Sequence, residues 1–331
     1  MQAIKQLDNT ECASTHSLSA LLKAGGDHLR LQILRVLTRD SFGVLELSHI
    51  FATKQSGMSH HLKVLANAGL VSTRREGNSI FYHRSNPLAH EEFVGVREAL
   101  ASAVSTLAFS EEVQGRINEI HQQRSQTSHT FFSENGSSLK EKQDLIANFD
   151  VYGSQVESFL QHRKETGGGR ALEIGPGEGE FLPILASRFR EVIALDNSQT
   201  MLERSRKFCL DQKIDNVEFH LADTQYCAMH NNNFNTIVIN MVLHHTPSPQ
   251  QIFADVSPAL EADGALIVCE LCHHDQDWTR QACGDLWLGF EPEELTHWAA
   301  EKNLSEGQSD YFALRNGFQI QIREFLKNTD S

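Results

Sequence analysis

The 331-residue chain contains no apolar run approaching the roughly 20 residues of a membrane-spanning helix, so no membrane role is expected. Its first residues, MQAIKQLDNTECAST, lack the basic start and apolar stretch of a secretory signal, and a cytoplasmic location is the expectation. The six cysteines are too scattered for a disulfide framework in a chain of this length. No internal repeat and no low-complexity tract is visible. Positive charge is scarce. Against 43 Asp and Glu stand 29 Lys and Arg, a formal net charge of -14, and a uniformly acidic chain repels phosphate.

The scarcity is uneven. Between His28 and Arg84 lie Arg30, Arg35, Arg39, Lys54, Lys63, Arg74, Arg75 and Arg84 against Asp40, Glu46 and Glu76. This window carries +5 and the remainder -19. A basic block on an acidic protein points to one module facing phosphate and another with a different task. The length agrees, since one domain per roughly 100–200 residues gives two.

Apolar residues recur at helical spacing over about 18–37, interrupted at Gly25-Gly26. Short helices are predicted over 44–51 and 55–68, the second stopped by Gly69, a residue suited to a C-terminal cap. Two β-rich runs, 70–75 and 79–84, flank Glu76-Gly77-Asn78 and predict a hairpin. Over 89–107, Phe93, Val96, Leu100, Val104 and Leu107 form one apolar helical stripe. The chain then turns polar, with 111–124 read as solvated helix and 133–138 as loop. Beyond Arg170 apolar runs alternate with amphipathic helices, which implies βαβ units and a parallel sheet.

A helix over 55–68 has the size of the major groove, and a hairpin can lie along the neighbouring backbone. Gln55, Ser56, Ser59, His60 and Lys63 supply donors and acceptors of a length suited to base edges and phosphates. Arg74 and Arg75 sit on the hairpin, where phosphate or minor-groove contact is natural. The same residues would also serve as the solvated basic face of a small helical domain. GDHLRLQIL (26–34), SGMSHHLKVLANAGLV (56–71) and RREGNSIFY (74–82) together resemble the ArsR family of winged helix-turn-helix repressors, over roughly residues 15–108. The resemblance implies a homodimer on a palindromic operator in double-stranded DNA. The stripe over 89–107 would then lie in the dimer interface; packing within one chain is its other use. Metal-sensing members carry cysteines on the helix before the recognition helix. Here 43–49 reads GVLELSH, without the soft ligands a metalloid sensor needs.

In the second half, ALEIGPGEGE (171–180) follows a short strand and opens a helix, its glycines allowing a sharp turn close to a ligand. Asp196 ends the next strand, 23 positions after Glu173, where an acidic side chain can accept from ribose hydroxyls. A nicotinamide dinucleotide site shares that logic. Glu173 at the mouth of the loop argues against it, because a carboxylate repels pyrophosphate and suits a cationic amino acid. LAD (221–223) ends a third strand and NTIVINMVLHH (235–245) a fourth.

This ordered set resembles the class I S-adenosylmethionine-dependent methyltransferases over roughly residues 145–331. The resemblance implies that Glu173, Gly175 and Gly177 line the methionine part of the cofactor, with Gly179 close by. It further implies that Asp196 binds the ribose hydroxyls, Met201 lies near the adenine, Asp223 bonds the adenine amino group, and Asn240 offers its backbone to the methionine amine. Asp196 and Asp223 are also residue types that cap helices and turns. ELCHHDQDWTR (270–280) and CGDLWLGF (283–290) resemble the matching stretch of methyltransferases fused to ArsR-type domains. Some proteobacterial members of that fusion family are regarded as regulators of methionine and S-adenosylmethionine metabolism that answer to S-adenosylhomocysteine.

The expected fold class is thus an α+β winged helix domain (1–110), a helical or polar linker (111–144) and an α/β Rossmann-like class I methyltransferase domain (145–331). Cys269, Cys272 and His273 match a haem-attachment spacing, but that chemistry needs an exported chain. Zinc on Cys269, Cys272, His273 and Cys283 is opposed by the alternation of strand faces, and no metal site is expected. His244-His245 stands where a methyl acceptor would sit, as a general base or as a residue that shapes the pocket. Two functions follow. One is a DNA-binding regulator whose second domain senses S-adenosylmethionine or S-adenosylhomocysteine and controls methionine or methyl-cycle genes. The other is an active methyltransferase tethered to DNA and acting on a small-molecule acceptor, chemistry that rests on positioning more than on a base.

Overall fold

The computed structural model describes residues 2–85, 92–161, 168–230 and 233–328, with side chains described from residue 14 onward except 133–139. Two compact units result, Met1–Gln122 and Gln123–Ser331.

In the first unit, α1 (Gln2–Gly25) and α2 (His28–Val36) part at Asp27, whose extended backbone makes it the N-cap of α2. Its carboxylate accepts from the Arg30 backbone N–H at 3.0 Å, and that bond holds the Asp27 carboxyl below its ordinary value. After β1 (Phe42–Gly43) come α3 (Val44–Ile50) and α4 (Gln55–Asn67). A hairpin of β2 (Val71–Glu76) and β3 (Ser79–Arg84) completes an antiparallel sheet in the order β1-β3-β2. The predicted cap at Gly69 is present. Gly69 takes φ +65°, and its N–H and that of Leu70 bond back to Ala66 and Leu65 at 2.9 and 3.0 Å, so two terminal carbonyls are satisfied.

The rotation of α4 about its axis is set by burial. Met58, Leu62 and Leu65 enter the core with Ile33, Leu47 and Ile50, as a period near 3.6 demands. Gln55, Ser56, Ser59, His60 and Lys63 are therefore left exposed. The stripe over 89–107 falls partly outside the described residues, and its described part lies on α5 (Val94–Ser105) and the residues beside it. Val104 is buried, Phe93, Leu100 and Leu107 pack on the unit's own core, and Val96 stays exposed.

Helix α6 (Glu111–Gln143) begins in the first unit and ends in the second. It corrects the loop expected over 133–138. Ser, Asn and Gly are weak helix formers, but the stretch has no proline, so no N–H is missing from the i→i−4 ladder.

The second unit runs α7 (Phe149–Gln161), β4 (Arg170–Ile174), α8 (Leu182–Arg188), β5 (Glu191–Asp196), α9 (Gln199–Asp211), β6 (Val217–Leu221) and β7 (Phe234–Asn240). It continues with α10 (Pro249–Val256), β8 (Leu260–Leu271), α11 (Trp278–Ala282), α12 (Pro292–Ala300), β9 (Leu304–Ala313) and β10 (Gln319–Lys327). The seven strands lie in the order β6-β5-β4-β7-β8-β10-β9. From β6 to β8 neighbours are parallel, while β10 runs antiparallel to both β8 and β9. The expected parallel sheet is thus mixed at one end. Its central strands read as unbroken apolar runs, such as Ile237-Val238-Ile239 and Leu266-Ile267-Val268, because both faces are covered. Strand order reverses between β4 and β7, and a crevice for ligands opens at such a point beyond the carboxyl ends of the strands.

Leu62 is fully buried in the α4 seam. Leu62→Ala should destabilise the first unit by about 2–5 kcal/mol in denaturant unfolding, and a loss below about 0.5 kcal/mol would contradict this packing.

Candidate cofactor pocket and nucleic-acid face

Glu173 is the penultimate residue of β4 and Asn240 ends β7, so the two flank the reversal of strand order. The Glu173 side chain is buried. Its Oε1 accepts from Asn240 Nδ2 at 3.3 Å, while its Oε2 and the Asn240 Oδ1 have no hydrogen-bond partner among the described residues. Burial pushes the Glu173 carboxyl up to about 8, and the Asn240 bond opposes this only in part. The sequence assigned Asn240 a backbone role; its side-chain bond to Glu173 carries no local signal, because β4 and β7 are distant in sequence.

The loop after β4 needs its glycines. Gly175 has φ +66°, and a Cβ there would stand 2.5 Å from Val242 Cγ2. Gly179 has φ +87°, and a Cβ there would stand 3.0 Å from Ser205 Cα on α9. Gly177 differs, since a Cβ there would meet nothing within 4 Å. The loop is therefore held by its ends and open at its middle. Met241, just after β7, also takes a positive φ of +55°, a strained conformation of the kind found where a site demands it.

Asp196 ends β5, and its Oδ1 accepts from the Ser198 N–H at 2.7 Å. Burial pushes its carboxyl up to about 6 against that bond. Met201 is buried in the first turn of α9, whose N-cap is Ser198. Asp223 is exposed and accepts from the Gln225 N–H at 2.9 Å as the N-cap of a 3-10 turn, Thr224–Met229. Glu173, Gly175, Gly177, Asp196 and Asn240 thus all lie at the carboxyl ends of β4, β5 and β7. Sequence reasoning missed Tyr152 on α7. Burial, then the neighbouring Cys269, Glu180 and Glu173, push its hydroxyl well up, which puts it within the field of the pocket.

His244 and His245 form a 3-10 turn, Leu243–His245, and both are buried. His244 Nδ1 lies 2.5 Å from Glu270 Oε1. Burial alone would push the imidazole down, but the charges of Glu270 and Asp285 outweigh it and hold it at about 9. His245 is pushed well down by burial and by His244. Asp285 closes the group, with Oδ1 3.9 Å from His244 Nε2 and 3.6 Å from His245 Nδ1. His244, His245 and Asp285, which the sequence reading did not group, are a set of side chains able to hold an ion. The cysteines are not. Cys269 and Cys283 are packed in the apolar core, and Cys272 lies past the end of β8.

On the first unit, Gln55, Ser56, Ser59, His60 and Lys63 share the exposed face of α4. Arg75 is exposed, its Nε donating to the Gly77 carbonyl at 3.2 Å. Arg74 is not available to DNA. It is buried, with Nε 2.6 Å from Glu76 Oε1. Arg74 and Glu76, two residues apart on β2, share a buried face and Arg75 points the other way, although burial does not alternate along the whole strand, since Val71 is buried too.

A winged helix-turn-helix unit and a sheet in this strand order define a DNA-binding regulator domain carried with a class I methyltransferase domain of Rossmann-like fold. Residues 27–73 match the bacterial regulatory proteins of the arsR family, and 165–307 match a methyltransferase domain family. The arsenical resistance operon repressor of Staphylococcus aureus is 35% identical over 75 residues, 23% of this chain and 72% of that protein. Through this domain the chain belongs to the ArsR family, whose helix-turn-helix binds DNA. The transcriptional activator HlyU of Vibrio cholerae is 44% identical over 66 residues, 20% of this chain and 61% of HlyU. An uncharacterized methyltransferase of Bacillus subtilis, YcgJ, is 22% identical over 144 residues, 44% of this chain and 55% of YcgJ. The chain thus spans little more than half the length of these last two relatives. Among solved structures, the 1,6-didemethyltoxoflavin-N1-methyltransferase of Burkholderia thailandensis, with S-adenosylhomocysteine bound, shares the fold. It aligns at TM-score 0.50 and 16% identity, covering 63% of this chain and 91% of that one.

Because folding favours the neutral form of Glu173, its stabilising contribution is complete below 4.5 and is lost as pH rises toward about 8. Glu173→Gln should therefore raise the melting temperature of the second unit at pH 8 and leave it nearly unchanged at pH 4.5. A gain confined to acid pH in calorimetric melts would reverse this reading of the pocket.

Proposed function

We propose that the protein is a homodimeric transcriptional regulator that binds operator DNA through residues 1–110. Its domain over 145–331 binds S-adenosylmethionine or S-adenosylhomocysteine, and its targets are methionine or methyl-cycle genes. The observation that carries this reading is the buried Glu173 carboxylate with its free Oε2 beside the free Oδ1 of Asn240. Two unpartnered acceptors in a crevice suit a ligand ammonium group, and the open middle of the loop at Gly177 admits a ligand close to the backbone. Gly175 and Gly179 would hold the loop, Asp196 would accept from the ribose hydroxyls, and Met201 and Asp223 would flank the adenine. When bound, the cofactor brings a sulfonium charge that its demethylated form lacks. Only a difference in affinity between two dimer geometries turns that charge into a change of DNA binding.

DNA contact is assigned to Gln55, Ser56, Ser59, His60, Lys63 and Arg75. Arg74, in this reading, braces the hairpin from inside through Glu76. Methyl transfer to a small-molecule acceptor is the rival function. Its nearest candidate base is His244, which Glu270 holds charged at neutral pH, and a charged imidazole does not accept a proton.

An operator selected from random duplex DNA by the purified chain permits the test, with each adenosyl ligand titrated separately in a gel shift. One ligand should change operator affinity by about 5–150-fold, and Asp196→Ala should abolish that response while sparing DNA binding itself. Unchanged affinity with both ligands sinks the sensor, and turnover of labelled cofactor on a metabolite pool would favour the enzyme. Lys63→Ala and Arg75→Ala should each weaken operator binding and lower the logarithmic salt slope by about 1. Arg74→Ala should instead lower the stability of the first unit.

A further inference from the structure

We propose that His244, His245 and Asp285 bind one divalent transition-metal ion through two imidazole nitrogens and a carboxylate. The three side chains are 3%, 8% and 0% exposed. Their candidate ligand atoms all lie within 4.8 Å of one another. The 3.6 and 3.9 Å separations from Asp285 Oδ1 to the two rings are too long for hydrogen bonds. They approach the roughly 3.3 Å that separates ligands held about 2.0–2.1 Å from a tetrahedral ion.

A second observation points the same way. Both carboxylate oxygens of Asp285 are buried, and although the Thr279 hydroxyl stands near enough to favour the charged carboxylate, neither oxygen has a hydrogen bond of ordinary geometry among the described residues. Nε2 of His245 is likewise buried without a hydrogen-bond partner among them. Leaving such groups unsatisfied is costly, and buried carboxylates are as a rule paired or metal-bound.

The surroundings match an outer shell. Glu270, fully buried at the end of β8, takes His244 Nδ1 at 2.5 Å and also accepts the Leu271 backbone N–H at 2.7 Å. A carboxylate on one imidazole nitrogen fixes the tautomer and directs the other nitrogen outward, the arrangement that orients metal-binding histidines. Here the other nitrogen, Nε2, lies on the side of Asp285. Charge balance agrees. An ion binding at His244 Nε2 displaces its proton, and with both imidazoles then neutral Glu270 and Asp285 leave two negative charges in the cluster. Arg280 exerts only the weakest influence on Asp285 and donates to the Leu286 carbonyl, so a dication offsets the pair. Phe132 sets its edge against the His245 ring, with centroids 4.9 Å apart, and excludes water from that side. Nitrogen and oxygen donors without thiolate suit zinc, iron(II) or nickel rather than copper(I), and three protein ligands leave a position open. The proposal does not depend on adenosyl binding.

The test uses the full chain, stripped with a chelator and titrated with Zn2+ against a chromophoric competitor. The expected result is one high-affinity Zn2+ per chain, lost at least 100-fold in Asp285→Asn and in His245→Gln and weakened about 10–100-fold in Glu270→Gln. Cys272→Ser and Cys283→Ser should leave it intact. The proposal is overturned if the wild type binds no Zn2+ at micromolar concentration, or if folded Asp285→Asn and His245→Gln retain wild-type affinity. Should those variants fail to fold, the wild type loaded with Co2+ decides. A visible d–d spectrum without a thiolate charge-transfer band supports the site, and a thiolate band or no spectrum overturns it.

Discussion

Burying the Glu173 carboxylate at the point where strand order reverses is the constraint on which the second unit's chemistry depends. Desolvation disfavours its charge, and a single bond from Asn240 offsets only part of that cost. The neighbouring backbone is arranged around this position. Gly175 lets the chain pass close to Val242, Met241 accepts a strained φ, and Gly177 leaves clear space. A residue buried at such expense is unfavourable in the empty pocket and favourable once a cation faces it. A ligand carrying an ammonium group relieves the cost, and folding alone does not.

The two units divide the electrostatics between them. Basic residues concentrate in the stretch that builds α4 and the hairpin, while the rest of the chain is acidic. Within the basic stretch, packing selects which cations face solvent. Met58, Leu62 and Leu65 lock the helix so that Lys63 and His60 point outward, and the strand pleat turns Arg74 inward onto Glu76. A count of arginines therefore overstates the basic surface. The buried Arg74–Glu76 pair leaves the hairpin's outer charge to Arg75.

A similar selection operates among the soft and borderline ligands. Cys269, Cys272, His273 and Cys283 attract notice because they crowd together in the sequence, yet strand alternation and core packing disperse them. His244, His245 and Asp285 come together because the turn after β7 meets the segment after α11, with Glu270 beneath. Proximity in the chain and proximity in space disagree here, and the buried grouping follows space.

Much of the architecture was legible because it rests on local periodicity. The sequence pattern marked α4, Gly69 marked its end, and the alternation of strands and helices after Arg170 announced a parallel sheet with acidic residues at strand ends. The loop expected over 133–138 failed because weak helix formers do not stop a helix that lacks a proline or an alternative cap. The burial of Arg74 was not legible, because alternation from Val71 would turn Arg75 inward and only the pairing of Arg74 with Glu76 in the folded hairpin decides otherwise. Left to the tertiary structure were the Glu173–Asn240 bond, the antiparallel β10 within the sheet, and the meeting of His244, Glu270 and Asp285. Local pattern is written by interactions a few residues apart. Which distant strand ends and loops converge is decided by sheet order and by how the core closes, and the pairwise contacts that fix those leave no period to read.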